Sequence, residues 1–501
     1  MTLLERPFLV WTIAGSDSSG GAGIQADLHT FRSFDVHGCS VITAITAQNS
    51  SGIHHIEYTS PESLLNQLQS LNFDLPAKVI KLGMLGTGES LAIIADFLST
   101  FSGVVILDPV MSGSKGGTLL KKQDLDFFKK HILPQVDILT PNISEALILS
   151  NESLSLIELE RIPLIAQRLL DYGVKTVIIK GGHLSDSNLS QDYYYSADQA
   201  FWLSSVRRIG QDFHGSGCIL SSALAALMAR GYEANEAFVI AKMYLNQGIR
   251  LSKKLSDYFI LGHGGWPSHS EDLPWLSNKP YWVDLLKREQ ELMIRRENLG
   301  LYPIVDSFEW VEKLIQMGVK SIQLRIKEKA VEDLTVEIEK SVRLAQDHQV
   351  KLYINDYWEI AIKVRAYGVH LGQEDLQTAD IKAIKKARLS LGISAHNLQE
   401  LASAHALNPS YIAFGPIYDS PSKKLKYLPQ GLADLKYWRK IVPYSLIAIG
   451  GITLQNCDEL LEIGVDGLAL ISALYSANNL LETVQAFQAK FAFVHDKNSD
   501  S

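Results

Sequence analysis

The chain has 501 residues, more than one hydrophobic core usually supports, so two or three domains are expected. Apolar residues make up 46%, charged residues 20% and aromatic residues 9%, a globular balance that excludes collagen-like, coiled-coil and largely disordered chains. Its 47 basic and 55 acidic residues give a net charge of −8, without the footprint of a general nucleic-acid binder, and no apolar stretch reaches the roughly 18 residues of a membrane span.

Phe8-Leu-Val-Trp-Thr-Ile-Ala14 lies between Glu5-Arg6 and Gly15-Ser-Asp17, so it reads as a first strand rather than a secretory signal. Further strands are predicted at 40–46, 78–82, 103–107, 136–139 and 174–180, alternating with helical patterns. The near-continuous runs Val104–Leu107 and Val177–Ile179 suit parallel strands covered on both faces. Tyrosine- and tryptophan-containing runs over 192–204 predict a hairpin, and helices follow at about 216–230 and 234–252. Residues 262–280, rich in glycine, proline and polar groups, read as a linker, with a charged helix at about 283–297 behind it. Eight more strands are predicted at 300–305, 319–325, 350–354, 367–371, 388–393, 410–414, 445–449 and 466–471, most of them separated by helices. Eight such units in about 200 residues match the lower size limit of a (β/α)8 barrel. The three cysteines, Cys39, Cys218 and Cys457, are odd in number and far apart; they form neither a disulfide framework nor a zinc pattern, and the expected location is cytoplasmic.

In the first half the most informative segment is Phe213-His-Gly-Ser-Gly-Cys218, a glycine pair just before a helix. Gly215, Ser216 and Gly217 would let successive amides converge on an anion, where the helix dipole also favours negative charge. Cys218 in the first turn would have a lowered pKa. The competing reading is an ordinary helix start with a buried cysteine. Asn142 and Glu145 stand three residues apart beyond a strand, suited either to water-mediated Mg2+ binding or to a capping box. Asp108 and Lys180-Gly-Gly-His183 also follow strands, where open α/β sheets bind ligands.

Together with Ala14-Gly-Ser-Asp-Ser-Ser-Gly-Gly-Ala-Gly-Ile-Gln-Ala-Asp27, Thr46-Ala-Gln-Asn49 and Lys81-Leu-Gly-Met-Leu85, these motifs resemble the ribokinase-like superfamily. Within it they resemble hydroxymethylpyrimidine/phosphomethylpyrimidine kinase, from about Phe8 to Gly265. The resemblance implies phosphorylation of a pyrimidine hydroxymethyl group and then of its monophosphate. It places Gln48 on the aminopyrimidine edge, with Asp27 and Met84 lining the pocket. It makes Cys218 the base and the amides of 215–218 the anion hole. Asp108, Asn142 and Glu145 would manage Mg2+–ATP, with Lys180 and Gly182 beside the nucleotide. Arg208-Ile-Gly-Gln-Asp-Phe213 departs from the family's threonine-rich stretch before the His-Gly pair.

In the second half, Gln323-Leu-Arg-Ile-Lys327 alternates, so Gln323, Arg325 and Lys327 are expected on one face of a strand. Two cations there suit a diphosphate, and an edge strand with a solvated basic face is the alternative. Tyr353-Ile-Asn-Asp356 and Gly368-Val-His-Leu-Gly-Gln-Glu-Asp375 end the next two strands and reach a barrel's catalytic rim, so Asp356 and Asp375 could share Mg2+. His370 reads as a packed strand histidine rather than a ligand. This half resembles thiamine-phosphate synthase from about Leu299 to the last helix. The resemblance implies pyrimidine-diphosphate contacts from Gln323, Leu324, Arg325, Ile326, Lys327, Asn355, Ser394 and Lys423. It implies thiazole-phosphate contacts from Ser420, Ser422, Gly451, Ile471 and Ser472, with serines where threonines are common at 420 and 422. The implied reaction is dissociative and needs no protein nucleophile.

The expectation is thus a ribokinase-like α/β domain over 1–265, a linker and lead-in helix over 266–298 and a TIM barrel over 299–495. The two activities would run in series, using Mg2+ and ATP on small-molecule substrates (hydroxymethylpyrimidine and thiazole phosphate), with no nucleic-acid or membrane partner and with homo-oligomeric assembly. A pyridoxal-type kinase fused to a thiazole-isomerising barrel, or a non-catalytic precursor-binding regulator, are the rivals.

Overall fold

The computed structural model describes residues 7–49, 51–112, 119–152, 159–182, 188–208, 213–255, 258–280, 297–327, 330–419 and 428–499. The chain divides into two compact units, Met1–Asp284 and Leu285–Ser501.

The described strands of the first unit are β1 (Leu9–Asp17), β2 (His37–Asn49), β3 (Gly52–Tyr58), β4 (Val79–Leu82), β5 (Val104–Leu107), β6 (Ile138–Leu139), β7 (Thr176–Ile179), β8 (Leu189–Ser196), β9 (Ala200–Val206), β10 (Phe213–His214), β11 (Lys253–Leu255), β12 (Tyr258–Ile260) and β13 (Trp275–Ser277). One sheet has the order β13-β9-β8-β7-β6-β5-β4-β1-β2-β3, and β10-β12-β11 forms a small second one. β1 pairs in parallel with both β2 and β4, so the strand order reverses beside it. A crevice opens at the carboxyl ends of the strands at such a switch point.

Side chains alternate across the sheet with period two. Trp11, Ile13, Ile80 and Leu82 enter the large core beneath the helices Pro61–Asp74, Gly88–Ser99, Ile143–Ser150 and Ile162–Leu170. Thr12 and Lys81 face the other way, toward Asp27 on the helix Gly23–Ser33.

Two features differ from the sequence expectation. β3 carries His54, His55 and Glu57, so it lacks an apolar run; it forms because it is an edge strand pairing antiparallel with β2. β13 lies inside the segment expected to be a linker, yet it pairs antiparallel with β9, so the first sheet continues beyond residue 265. Most of the expected lead-in helix, residues 281–296, lies outside the described residues.

The second unit is a closed barrel of eight parallel strands, β14 (Gly300–Val305), β15 (Ser321–Leu324), β16 (Lys351–Asn355), β17 (Gly368–Leu371), β18 (Ser390–Ala395), β19 (Tyr411–Phe414), β20 (Ser445–Ile449) and β21 (Gly467–Leu470). β21 closes on β14. Each strand overlaps a predicted one, because a strand buried on both faces needs the continuous apolar sequence that marks it. The interior holds Tyr302, Tyr353 and Tyr411, packed edge to face with ring centroids 5.3–5.8 Å apart. No helix among the described residues is long and apolar enough to cross a membrane.

Candidate active sites

A cavity of about 860 Å³ occupies the switch-point crevice of the first unit. Gln48 from β2, Met84 after β4, Asp108 after β5, Asn142 and Glu145 after β6, and Lys180 and Gly182 after β7 all line it. So do Gly215, Ser216, Gly217 and Cys218 at the start of the helix Ser216–Ala229. Gly215 has φ +80°, and a β-carbon there would lie 1.8 Å from the Gly21 carbonyl oxygen, so only glycine fits. Ile219 N–H donates to the Gly215 carbonyl at 3.0 Å, so the three preceding amides have no acceptor within their own helix. Lys180 Nζ donates to Asp108 Oδ1 at 2.6 Å and would stand 3.0 Å from a β-carbon at Gly217. The amides therefore open beside a cation, an arrangement for oxyanions.

Apolar walls close the other end of the cavity: Met84 and Leu119 are buried together with Ala44 against Ile53 and Val110. Gln48 is the polar group at that end, with Thr46 Oγ1 donating to its Oε1 at 3.3 Å. Asp27 is not among the lining residues. It is fully buried behind Lys81, and Lys81 is the side chain that reaches the cavity. Both Asp27 oxygens accept from Lys81 Nζ at 2.9 Å, and Thr12 and Ser222 hydroxyls also donate to them.

Two more expectations change. Asn142 and Glu145 form a capping box: Asn142 N–H donates to Glu145 Oε2 at 2.7 Å, and Glu145 N–H donates to Asn142 Oδ1 at 2.9 Å. Burial, with Asp108 nearby and Lys180 opposing, pushes the Glu145 carboxyl up to about 7. Cys218 does not show the lowered pKa expected of a first-turn thiol. Burial pushes it up to about 11, opposed by the Lys81 ammonium and a Gly23 N–H and helped by Asp108 and Asp27. The cost of desolvating a thiolate exceeds what the helix end supplies.

Sequence reasoning assigned no role to Lys81, nor to Asp192 and Lys242, which line the cavity's far side. Lys242 Nζ donates to Asp192 Oδ2 at 2.6 Å, and Asp192 Oδ1 accepts from Gly181 N–H at 2.8 Å. A lone lysine inside an apolar run, as in Val79-Ile-Lys-Leu82 and Val239-Ile-Ala-Lys242, was the available signal, since a buried charge demands a partner. Residues 209–212 of the atypical stretch, and His183, lie outside the described residues.

In the barrel the candidate residues gather at the carboxyl ends of the strands. Gln323 lies on β15, Asn355 ends β16 with Asp356 next to it, Asp375 follows β17, and Ser394 lies on β18. β15 ends at Leu324, so Arg325 and Lys327 leave from the following loop rather than from one strand face as expected. Leu324 and Ile326 are packed apolar side chains, leaving only their backbone for ligand contact. Burial and the neighbouring Asp375 carboxyl push Asp356 up to about 6, while Arg325 and Lys327 pull it down. Gly372 N–H donates to Asp375 Oδ2 at 3.2 Å.

A buried chain runs beneath this rim. Gln323 Nε2 donates to Tyr302 Oη at 3.2 Å, and Tyr302 and Tyr411 hydroxyls are 2.8 Å apart. His370 then bridges Tyr411 Oη at 2.8 Å and Ser394 Oγ at 2.9 Å. Burial, with Arg325 adding to it, lowers the His370 pKa to about 3, so this histidine is a neutral bridge. On the other side of the rim, Gly451 has φ +64° and would place a β-carbon 2.5 Å from the Asp419 carbonyl oxygen. Ile471 immediately precedes the short helix Ser472–Tyr475. Ser420, Ser422 and Lys423 lie outside the described residues.

Among the described residues no group of three or more His, Cys, Asp or Glu side chains is placed to hold a metal ion. The Asp356–Asp375 pair still suits Mg2+, which takes one or two carboxylates and completes its shell with water and phosphate oxygens. Two carboxyls held together at a like-charge cost are the donor set that a divalent cation relieves.

Residues 17–265 match the family described as phosphomethylpyrimidine kinase, and residues 301–474 match thiamine monophosphate synthase. The thiamine biosynthetic bifunctional enzyme TH1, chloroplastic, of Arabidopsis thaliana is 30% identical over 94% of this chain and 91% of its own length. Thiamine-phosphate synthase of Salmonella typhimurium is 47% identical over 36% of this chain and 85% of its own. Among solved structures, the pyridoxal kinase of Staphylococcus aureus with AMP-PCP and pyridoxal is 30% identical, covers 54% of this chain and 98% of its own, and has a TM-score of 0.49. The phosphomethylpyrimidine kinase of Clostridium difficile 630 is 34% identical, covers 48% and 99%, and has a TM-score of 0.43.

Proposed function

Since this chain belongs to the family of bifunctional thiamine biosynthetic enzymes, a hydroxymethylpyrimidine kinase joined to a thiamine-phosphate synthase, we propose how its two sites divide the work. The pyrimidine lies against Met84 and its apolar neighbours, with Gln48 on its amino edge. ATP lies toward Lys180, Gly182, Asp192 and Lys242. The hydroxymethyl oxygen attacks the γ-phosphorus, its proton passes to Cys218, and ADP leaves as the P–O bond to it breaks. The amides of Ser216, Gly217 and Cys218 and the Lys180 ammonium hold the charge spread over the transferring group. A second round on the monophosphate gives the diphosphate. Mg2+ would accompany ATP, held through water by Asp108, Asn142 and Glu145, which line the cavity.

In the barrel, Arg325, Lys327 and Asn355 bind the diphosphate and orient its departure from the pyrimidine methylene carbon. Gln323 and Ser394 are held in place by the tyrosine–histidine chain. Asp356 and Asp375 would hold Mg2+, which supplies charge neutralisation for the leaving diphosphate. Gly451, Ile471 and Ser472, with Ser420 and Ser422, present the thiazole phosphate, whose ring nitrogen takes the carbon. No side chain forms a covalent bond.

The observation that carries this reading is the order of the two sites in one chain: an oxyanion cradle beside a cation in the first unit, and paired carboxyls flanked by Arg325 and Lys327 in the second. A one-pot assay tests it. Purified protein receives hydroxymethylpyrimidine, thiazole phosphate, ATP and Mg2+, and thiamine phosphate is expected. No product from either the pyrimidine or its diphosphate overturns the reading, and efficient phosphorylation of pyridoxal alone supports the pyridoxal-kinase rival. A cytosolic location is proposed on the three unpaired cysteines.

A further inference from the structure

We infer that Lys81 is a positioning residue for the kinase step: its ammonium, anchored by Asp27, is the fixed positive charge that lets Cys218 carry a negative charge next to the reacting hydroxyl. The inference rests on the reading of Cys218 as the base.

Cys218 and Ser222 are four residues apart on one helix, so they share a face one turn above the other. Ser222 Oγ donates to Asp27 Oδ1, which places the Asp27 carboxylate against that same face. Asp27 in turn accepts from Lys81 through both oxygens and from Thr12, so its acceptor sites are filled and it cannot swing away. Lys81 comes from β4 and is fully buried, yet it lines the cavity together with Cys218. Two of its three N–H donors go to Asp27, which leaves one for the cavity. Its Nζ would lie 3.1 Å from a β-carbon at Gly83, so the cation sits directly under the cavity's glycine floor.

The other charged groups around Cys218 oppose a thiolate or support it less than Lys81 does. Asp27 from the helix Gly23–Ser33 and Asp108 after β5 both oppose a thiolate, and Lys180 after β7 is bonded to Asp108 and flanked by Glu145. Lys81 is the largest charge effect pulling the thiol down, with the Gly23 N–H helping and Lys180 adding a weaker attraction. A thiol that burial alone would leave inert thus has one cation built beneath it at the price of a buried ion pair. In the reaction the thiolate takes the proton of the hydroxymethyl group as its oxygen bonds to phosphorus. The neutral thiol returns that proton to solvent when product leaves. Lys81 keeps its own proton throughout.

The test measures the pH dependence of Cys218 alkylation by iodoacetamide in the full-length protein, read on the Cys218 peptide, beside the pH profile of kinase kcat/KM. Lys81→Met leaves Asp27 buried without its cation and can fail to fold. The double variant Asp27→Asn/Lys81→Met removes both charges at similar volume and decides the matter in that event. The alkylation midpoint is expected to rise by about one pH unit in Lys81→Met and by a smaller step in the double variant, with the kinase profile following and the pyrimidine KM little changed. A midpoint in the folded double variant no higher than in the Asp27→Asn single variant, which keeps Lys81, overturns the role of Lys81. A midpoint that rises while the kinase profile stays fixed instead overturns Cys218 as the base, which separates the two failures.

Discussion

The carboxyl groups of Asp356 and Asp375 are hydrogen-bonded to each other at the rim of the barrel, and burial with this like charge raises Asp356 to about 6. A carboxyl whose folded pKa lies above its unfolded value destabilises the fold at pH values above the folded pKa, and the strain fades as pH falls toward the unfolded value. Asp356→Asn should therefore raise the melting temperature of the metal-free barrel by ~2–4 °C at pH 8 and by much less at pH 4. Added Mg2+ should stabilise the parent at pH 8 and not the variant. Thermal melts with and without the cation read both effects, and equal shifts at the two pH values would contradict them.

Gly215→Ala tests the cradle. The left-handed φ of +80° and the 1.8 Å approach to the Gly21 carbonyl oxygen leave no room for a methyl group. A strained backbone of this kind costs about 1–3 kcal/mol before the steric conflict is added. Kinase turnover should fall by at least a hundredfold with synthase activity intact. Wild-type kinase kinetics in the variant would show that the turn is not needed.

Gln48 offers both a donor and an acceptor at the apolar end of the cavity. Gln48→Leu should weaken use of the pyrimidine by about 1–3 kcal/mol in kcat/KM, the cost of an unpaired buried polar group on the substrate. Unchanged kinetics in both phosphorylations would reduce Gln48 to a structural role.

His370 supplies an acid-lability prediction. Its folded pKa of about 3 lies below the usual histidine value, so the unfolded chain takes up a proton near pH 6.5 that the folded barrel refuses. Stability is lost as pH falls below that value, by about 2 kcal/mol at pH 5 from this residue. His370→Gln should abolish that share of the pH dependence whatever its effect at pH 7. Denaturant melts of the two proteins at pH 7 and pH 5 make the comparison; parallel losses would exclude the histidine as the cause.

The two activities should be separable. Cys218→Ala is expected to stop pyrimidine phosphorylation and spare the condensation when the diphosphate is supplied. Asp375→Ala should spare the kinase and let the diphosphate accumulate, because the departing group loses a metal ligand. Sites without shared partners behave independently, so a mixture of the two variants should make thiamine phosphate through released intermediate. An inactive mixture of two proteins whose remaining activities are each confirmed would point to obligatory transfer within one chain.

Much of this architecture is determined by the sequence alone. The eight barrel strands are legible because a parallel strand covered on both faces must be continuously apolar, and the helix starting at Ser216 is announced by its two glycines. The pairing of Asp356 with Asp375 follows from their places just beyond strand ends. What local sequence does not hold is decided by contacts across the fold. β13 becomes a strand only because β9 offers it an edge, and β3 does so beside β2 despite its two histidines. Asp27 looks like a ligand-binding carboxylate until Lys81 arrives from 54 residues away to bury it. Cys218 occupies a helix terminus that favours a thiolate, yet desolvation in the assembled fold outweighs that local advantage. Burial is a property of the assembled chain, so the chemistry it sets, unlike the periodicity of a strand, is written only in the tertiary structure.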